Sequence, residues 1–316
     1  MFSKNNNILK KPFVIFLLAS FCCLLWGSAF PMIKTGYSLL NIPSDEPFSQ
    51  ILFAGIRFTL AGFFTLVIGS ALSRRILIPK KSSLKNIFKL SLNQTVLQYF
   101  FFYVGLANTT SVKSSIIKGT GTFITILISC FIFKSEKFDN AKLIGCVLGF
   151  SGILVINLTG NDIGAGISFL GEGFILISNV TSALSTCLIK KYSQNENPVV
   201  LSGCQFFLGG IIMTIIGLTM GGKIHSFSIE GASVIIYLAM LSAVAYSLWG
   251  ILLKVNDVSK VAIYNFMTPL CGVLLSGLLP GEQEALFNVK NLVALALVCA
   301  GILTVNKLSG AKEKSP

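Results

Sequence analysis

The sequence carries very little charge. Only 12% of its 316 residues are Asp, Glu, Lys or Arg, whereas 53% are hydrophobic. Soluble domains are typically about one quarter charged, because their surfaces face water. The mean hydropathy of +0.79 points the same way. These values exclude a soluble domain, and the apolar stretches of about twenty residues are long enough to cross a hydrocarbon core about 30 Å thick.

Histidine and paired cysteines are also scarce. His225 is the single histidine, and the eight cysteines fall in apolar stretches without a Cys-x-x-Cys pair. Metal sites and disulfide frameworks require clustered ligands or regularly spaced cysteines. We therefore expect no metal, no cofactor and no disulfide framework, and we expect the cysteines to pack as small apolar residues.

The apolar stretches predict an all-α integral membrane protein with ten transmembrane helices. The first stretch follows lysines, as a signal peptide would, but its apolar run is too long and nine spans follow it, so we expect it to be retained. The loops between spans are too short to hold a soluble domain. The predicted spans are Pro12–Lys34, Phe48–Leu72, Asn86–Ala107, Ser111–Phe133, Asn140–Asn157, Phe169–Lys190, Pro198–Gly221, Gly231–Leu253, Val258–Leu279 and Asn288–Leu308.

The basic residues are unevenly distributed along the chain, which has a net charge of +13. With a cytoplasmic amino terminus, 19 of the 25 basic residues lie in cytoplasmic segments. Arg57 and Lys118 lie within spans, and the outer segments hold only Lys34, Lys113, Lys223 and Lys290. This bias follows the positive-inside rule. It predicts that both termini are cytoplasmic, and it argues against nucleic acid as a partner.

Two features recur in the two halves of the chain. The predicted fifth span ends with Ser151–Asn157 (SGILVIN), and the tenth ends with Ala300–Asn306 (AGILTVN). Upstream of these tails, Glu136 follows the fourth span and Glu282 follows the ninth. The recurrence predicts an internal repeat of five helices.

The predicted repeats cover residues 12–157 and 169–308. Because five is an odd number, the second copy must enter the membrane with the opposite polarity to the first. Inverted repeats are typical of secondary transporters, in which the two halves exchange conformations and the substrate binds between them near the midplane. The sequence therefore predicts alternating access to a site at the interface of the halves.

One segment resembles a phosphate-binding loop. Gly217–Lys223 has the required glycine-to-lysine spacing, but Ile224 stands where Ser or Thr is needed, and the segment ends a span instead of following a strand. We therefore expect no ATP site, so that a gradient or an exchange must drive any transport. The chain also lacks the convergent catalytic groups of a membrane enzyme and the charged ring or carbonyl filter of a channel.

An ordered set of residues extends over nearly the whole chain: Trp26–Pro31 with Lys34, Arg57–Phe58, Gly171–Glu172, Pro198, Gln205, Gly209–Gly210, Ser259–Tyr264, Pro269 and Gly281–Glu282. This set resembles the EamA-type members of the drug/metabolite transporter superfamily. The resemblance implies ten helices, alternating access and ATP-independent export of amino acids or other small metabolites. One departure is Thr122, preceded by Gly119–Gly121, where many relatives carry a proline equivalent to Pro269. Any bend there must come from glycine and threonine.

Lys118 and Arg57 are the charged residues inside predicted spans. A charge at such depth is costly unless it pairs, snorkels or faces water. Lys118 is a candidate to attract a substrate carboxylate or phosphate, with snorkelling as the alternative. For Arg57 we expect a structural clamp between helices ahead of substrate contact, with Asp45, Glu46 and Glu172 as possible carboxylate partners.

Uncharged side chains complete the predicted site. Gln98 in span three and Asn179 in span six are predicted to line the cavity, although polar groups in spans also serve packing between helices. Aromatic residues can shape an apolar pocket, although an interfacial or lipid-facing position is their commoner fate. The aromatic candidates are Trp26, Tyr99, Tyr103, Tyr246, Trp249 and Tyr264. Pro269 and Thr122, with Arg57, are the predicted structural or gating residues.

Two transport functions remain open at this point. The first is export of amino acids or related metabolites. The alternative is translocation of a phosphorylated, nucleotide-linked or lipid-linked sugar, for which a phosphate-attracting Lys118 is suited. The usage of 22 Lys against 3 Arg indicates an AT-rich bacterial genome, and hence a multi-pass protein of the bacterial plasma (inner) membrane.

Overall fold

The computed structural model describes residues 6–109, 111–157, 168–276 and 289–311. Within these ranges every regular element is helical and no strand occurs, so the predicted all-α class is confirmed. The α-helices are α1 (Asn6–Leu9), α2 (Pro12–Leu39), α3 (Pro47–Ser73), α4 (Leu84–Leu90), α5 (Gln98–Ala107), α6 (Ser111–Leu127), α7 (Asn140–Asn157), α8 (Phe174–Tyr192), α9 (Pro198–Thr219), α10 (Ile229–Val255), α11 (Val258–Ala262), α12 (Met267–Ser276) and α13 (Val289–Ala311). The remaining helical segments are 3₁₀ turns at Lys81–Ser83 and Ile263–Phe266 and π-helical turns at Ser91–Leu97, Ile128–Ile132 and Phe169–Gly173.

Several helices are suited to cross a membrane. Five of them are long and apolar enough: Pro12–Leu39, Pro47–Ser73, Phe169–Tyr192, Pro198–Thr219 and Ile229–Val255. Three shorter apolar stretches are Ile117–Ile132, Asn140–Val155 and Leu292–Asn306. These helices agree with a multi-pass membrane fold, while the count of ten spans and the side on which the termini lie stay predictions.

Large apolar side chains are exposed on the outside of the helices. Phe13, Phe63 and Phe131, for example, are 69%, 51% and 60% exposed. Such a surface is unfavourable in water and favourable against lipid chains. The helices satisfy their own backbone hydrogen bonds, as the hydrocarbon region requires. The lipid bilayer is therefore the natural environment of these faces.

Prolines set where three of the long helices begin. Pro12, Pro47 and Pro198 stand at the first positions of α2, α3 and α9. Proline is favoured there because its missing N–H has no partner in the first turn and its φ already suits a helix. At α9 the side chain of Asn197 also accepts a hydrogen bond from the backbone N–H of Val199, which caps the helix.

The predicted ninth span is interrupted, whereas the fourth is α-helical from Ser111 to Leu127 and ends in a π-helical turn. α11 and α12 are separated by the 3₁₀ turn Ile263–Phe266. Pro269 contributes to this break, because it has no N–H to bond the carbonyl one turn earlier. In contrast, Thr122 and the glycines before it lie within the continuous helix α6. The predicted end of span nine, together with Gly281 and Glu282, lies outside the described residues.

Helices α3 and α9 pack so closely that their contact requires glycine. A methyl group at Gly55 would lie 2.5 Å from the backbone nitrogen of Thr214. A methyl group at Gly210 would lie 2.3 Å from the backbone nitrogen of Thr59. The two contacts are reciprocal, because each helix presents a glycine followed one turn later by a threonine.

Helices α7 and α13 pack through a second reciprocal contact. A methyl group at Gly145 would lie 2.9 Å from the carbonyl oxygen of Gly301, and one at Gly152 would lie 2.9 Å from that of Ala294. Small residues at such positions allow two backbones to approach closely. The recurring sequence tails contribute Gly152 and Gly301, so the tails are part of this contact.

The other large contacts also cross between the halves of the chain. α2 packs against α10 and α12, while α8 packs against α5 and α6. In the order of the predicted spans, the first contacts the eighth and ninth, and the sixth contacts the third and fourth. Side chains from both halves therefore meet where α2, α3, α5, α9 and α10 converge.

Candidate functional site

Six aromatic side chains from five helices meet at this convergence. The ring of Trp26 lies 5.2 Å from that of Tyr246 and 5.0 Å from that of Trp249, both in edge-to-face geometry. These two residues share a face of α10. We call the complete set the aromatic cluster: Trp26, Phe58, Tyr99, Phe206, Tyr246 and Trp249.

Phe58 and Phe206 close the aromatic cluster on the side of α3 and α9. Their rings stack at 5.2 Å, and Phe58 lies 4.5 Å from the ring of Tyr99. Phe206 in turn lies 4.7 Å from the ring of Tyr246. Sequence reasoning did not select either phenylalanine, although Phe58 belongs to the Arg-Phe pair and Phe206 follows Gln205.

The hydroxyl groups of Tyr99 and Tyr246 lie 2.9 Å apart and form a hydrogen bond between α5 and α10. Tyr99, Tyr246 and Trp26 are only half-buried, whereas most of their neighbours in the aromatic cluster are fully buried. Each of these three residues therefore keeps some exposed surface.

Two further predicted residues lie next to the aromatic cluster. Tyr103 is 2% exposed, and its ring lies 6.1 Å from that of Tyr99 on the same helix. Gln98 is buried beside Tyr99 in the chain, and its Oε1 atom has no hydrogen-bond partner in the described part of the protein. The same holds for the indole Nε1 of Trp26. Buried polar atoms without a partner are rare in proteins and mark places where a ligand or water completes the bonding.

Arg57 lies against the aromatic cluster with no counter-ion among the described residues. It is 4% exposed, and its Nε atom is sealed from solvent without a hydrogen-bond partner. Its guanidinium carbon lies 4.4 Å from the centre of the Phe58 ring. The guanidinium charge also acts on the phenol groups of Tyr99 and Tyr246. Arg57 therefore places a fixed positive charge beside the aromatic cluster.

The carboxylates proposed as partners of Arg57 are engaged elsewhere. Glu46 accepts a hydrogen bond from Ser49 and lies 2.9 Å from Nε2 of His225. The bonds from His225 and Ser49 lower the pKa of Glu46. Glu172 accepts hydrogen bonds from the Thr109 hydroxyl and from the backbone of Ser168, and Asp45 forms no ion pair with Arg57. None of the three possible carboxylate partners therefore pairs with Arg57 among the described residues, and its role as a clamp between helices stays a prediction.

The contact with the Phe58 ring is too weak to replace a true counter-ion for Arg57. A cation over an aromatic ring gains about 0.5–2 kcal/mol. The cost of burying one ion is several kcal/mol, on the order of twice that gain or more. The Phe58 ring alone therefore does not balance the burial of Arg57, and a further negative group would be stabilised beside it.

Lys118 lies apart from the aromatic cluster. Its ammonium nitrogen is 5.1 Å from the centre of the Phe102 ring, and it pairs with no carboxylate in the described ranges. The residue is half-buried. The neighbouring Asn179 is 1% exposed, and its amide donates a 2.5 Å hydrogen bond to the carbonyl of Ile117. In this structure Asn179 therefore joins α8 to α6, and its role in lining a cavity stays a prediction.

The other predicted site residues lie outside the aromatic cluster. Tyr264 lies in the 3₁₀ turn before Pro269, 6.3 Å from the ring of Phe16, and its hydroxyl accepts a hydrogen bond from Asn306. It is thus separate from the aromatic cluster. Thr122 is 5% exposed and packs within α6. Of the aromatic candidates, the structure brings together Trp26, Tyr99, Tyr103, Tyr246 and Trp249 but not Tyr264.

Glu136 links the two halves of the chain at one end of the molecule. One carboxylate oxygen accepts a 2.5 Å hydrogen bond from the Ser129 hydroxyl and a 3.1 Å bond from the backbone N–H of Ser259. The other oxygen accepts a bond from the Ser259 hydroxyl and lies 3.0 Å from Nζ of Lys142. We call Glu136, Ser259 and Lys142 the Glu136 latch. It joins the end of predicted span four to the start of span nine.

A surface recess of about 560 Å³ lies beside the Glu136 latch. Its lining contains two lysines, and the carboxylates of Asp257 and Glu136 lie close enough to act on Lys190. The lining residues are Ile132, Phe133, Ser135, Cys187, Lys190, Lys191 and Gln194.

Known proteins are similar to this chain in both sequence and fold. The model of the EamA-like transporter family matches the chain twice, over residues 13–158 and 169–307. YvbV, an uncharacterized transporter of Bacillus subtilis, is 27% identical over 307 residues, which cover 94% of this chain and 93% of YvbV. An uncharacterized transporter of Archaeoglobus fulgidus is 24% identical over 303 residues, covering 94% of this chain and 99% of the relative.

A solved crystal structure has the same fold. It superposes with a TM-score of 0.72 at 16% identity and covers 95% of this chain and 99% of that chain. The apolar helices, the lipid-facing surface and the two matches to one family model agree with each other. The chain belongs to the EamA-like transporter family of the drug/metabolite transporter superfamily, and it is a membrane transporter, not an enzyme.

Proposed function

We propose that this protein is a secondary transporter that exports small metabolites, amino acids or related compounds, by alternating access. The aromatic cluster with Arg57 carries the proposal, because it is built from both halves of the chain. α2, α3 and α5 supply part of it, and α9 and α10 supply the rest. A site shared in this way changes its exposure when the halves move relative to each other.

The proposed mechanism uses ten spans in two inverted repeats, residues 12–157 and 169–308. The reciprocal contacts support this arrangement. Gly55 faces Thr214 as Gly210 faces Thr59, which is the pattern that a two-fold relation between α3 and α9 would produce. The contacts of α7 with α13 follow the same pattern.

The Glu136 latch is the proposed gate at the cytoplasmic end. Glu136 belongs to the first repeat and Ser259 to the second, so the end is closed while they are bonded. Opening toward the cytoplasm requires these bonds to break. The positive-inside bias supports a cytoplasmic position for this end and for both termini in a bacterial cell.

A sugar carrying a phosphate group is the second candidate substrate. Lys118 favours it, because its ammonium lies over the Phe102 ring and forms no ion pair with a described carboxylate. A phosphate would provide a counter-ion. Competition by phosphorylated compounds, without competition by amino acids, would support this alternative.

Transport by purified protein in liposomes tests the proposal. Vesicles loaded with a mixed metabolite panel, without ATP, should exchange at least one labelled compound faster than protein-free vesicles. Trp26→Ala should abolish this exchange, whereas Phe131→Ala, at an exposed lipid-facing position, should preserve it. A lack of exchange for every compound, or a requirement for ATP, would contradict the proposal.

A further inference from the structure

Arg57 and the aromatic cluster together define the chemistry of a ligand. Arg57 is nine-tenths or more buried, its Nε has no partner, and no described carboxylate pairs with it. A guanidinium group keeps its proton in a protein, so this site stays positively charged. A negative group on the ligand would fill the role that the chain leaves open.

The rings around Arg57 complement an apolar body. Phe58 lies beneath the guanidinium at 4.4 Å, and Trp26 and Tyr246 are partly accessible within the same cluster. Aromatic walls of this kind pack against flat or bulky apolar groups. They offer a ligand few polar partners besides the Tyr99 and Tyr246 hydroxyls, which already bond to each other.

The size and hydration of the charged group favour one anion over another at Arg57. The planar fork of guanidinium binds either a carboxylate or a phosphate through two parallel hydrogen bonds. A bulky, strongly hydrated phosphate fits less well in a place enclosed by rings, and the free lysine that would suit a phosphate is at Phe102, outside the cluster.

We propose that the substrate is an organic carboxylate with an apolar body about the size of a phenyl ring, whose carboxylate binds Arg57 and whose body packs in the aromatic cluster. This inference rests on the proposed function, because it names the substrate class for the same site. An α-amino group is compatible with it but is not required.

The chain contains a reporter for this binding. Trp26 and Trp249 are its only tryptophans, and both belong to the aromatic cluster. Ligands of the phenyl series do not absorb at the red edge of the tryptophan band. The intrinsic fluorescence of the purified protein therefore reports on the site alone.

The test titrates the wild-type protein with phenylpropionate, L-phenylalanine, phenylpropionamide and phenylethylamine. We expect the two carboxylates to change the fluorescence saturably, and the amide and the amine to bind at least about tenfold more weakly. Equal binding of phenylpropionate and its amide would overturn the inference, as would the absence of any response to the two acids. This comparison requires no variant, so it does not depend on the stability of a mutant.

Variants of Arg57 extend the test. Arg57→Gln should weaken phenylpropionate binding about tenfold or more, and Arg57→Lys should restore part of it. Arg75→Gln, at an exposed arginine, is the matched control and should bind as wild type does. Unchanged affinity in a folded Arg57→Gln protein would overturn the inference.

The two experiments distinguish failure of this inference from failure of the proposed transport function. If the liposomes exchange only neutral compounds, the transport function stands and the carboxylate inference falls. If phenylpropionate binds through Arg57 but no compound crosses the membrane, the carboxylate-binding site stands and the transport function falls.

Discussion

The hydroxyl oxygens of Tyr99 and Tyr246 lie 2.9 Å apart and connect a helix of the first half to a helix of the second. Each ring also packs against a phenylalanine, Phe58 for Tyr99 and Phe206 for Tyr246. The hydrogen bond thus joins two stacks of rings across the interface. Any motion that separates α5 from α10 must break it.

Removal of either hydroxyl should therefore loosen the interface. Tyr99→Phe and Tyr246→Phe should each lower the stability of the protein by about 1 kcal/mol, because a buried hydroxyl loses its partner. The double variant should be no less stable than either single variant. Thermal unfolding in detergent measures all three, and strictly additive losses would show that the two hydroxyls act independently.

Substitution at the crossing of α3 and α9 should be poorly tolerated. Gly55→Leu should destabilise the protein by about 1–3 kcal/mol or more, because even a methyl group would lie 2.5 Å from the backbone of Thr214. Ala71→Leu, at an exposed position of the same helix, should be nearly neutral. Thermal unfolding of the two variants provides the measurement, and equal effects would contradict the close packing of these helices.

Loss of the Glu136 latch should open the end that it closes. Cys187 lines the adjacent recess and is 2% exposed, so its labelling by a maleimide reports on opening. In a background with the other seven cysteines changed to alanine, Glu136→Ala should label about tenfold faster, because charge-assisted hydrogen bonds of about 1.5–3 kcal/mol are lost.

The control for the latch is Glu230→Ala, which removes an exposed carboxylate from the first turn of α10. It should leave the labelling rate of Cys187 unchanged. Equal rates for the Glu136 variant and the parent would mean that the latch does not hold this end closed.

Glu196 should contribute stability that depends on pH. Its carboxylate is buried and accepts bonds of 2.9 Å from the backbone N–H groups of Lys80 and Asn197. Burial alone would raise the pKa of Glu196, but these bonds outweigh it and the pKa is lowered. A lowered folded-state pKa stabilises the protein above the unfolded pKa, and this contribution is lost as the pH falls through the folded value.

Glu196→Gln should therefore be less stable than wild type by about 1 kcal/mol at neutral pH. The difference should shrink as the pH falls to about 4 and below, where the wild-type carboxyl becomes protonated. Melting curves of both proteins across this range test the prediction. A difference that grows on acidification would have the wrong sign.

Composition and charge placement alone predict a multi-pass helical membrane fold, because lipid imposes length and hydropathy on each span. The proximity of Tyr246 and Trp249 also follows from their spacing of less than one turn. In contrast, Phe58 and Phe206 could not be chosen in advance. Their helices are apolar on all sides, so periodicity does not indicate which face points inward.

Polar residues within spans are harder to interpret for a related reason. Sequence places Arg57 at a depth along the membrane normal but does not say which helix faces it. Of the possible carboxylate partners of Arg57, Glu46 and Glu172 are instead bonded near the helix ends by local hydroxyl, backbone and imidazole groups. The break before Pro269 does not follow from the proline alone, because Pro31 lies inside α2 without interrupting that helix.

The crossing of α3 and α9 also determines which bonds resist motion. The hydroxyls of Thr59 and Thr214 donate to Gly55 and Gly210 of their own helices, at 2.9 Å each. No side-chain hydrogen bond crosses between these two helices, both of which are described in full. Their contact is made by closely packed small residues and stacked rings. If the two halves move as proposed, the directional bonds that must break therefore lie outside this crossing, among them those of Glu136.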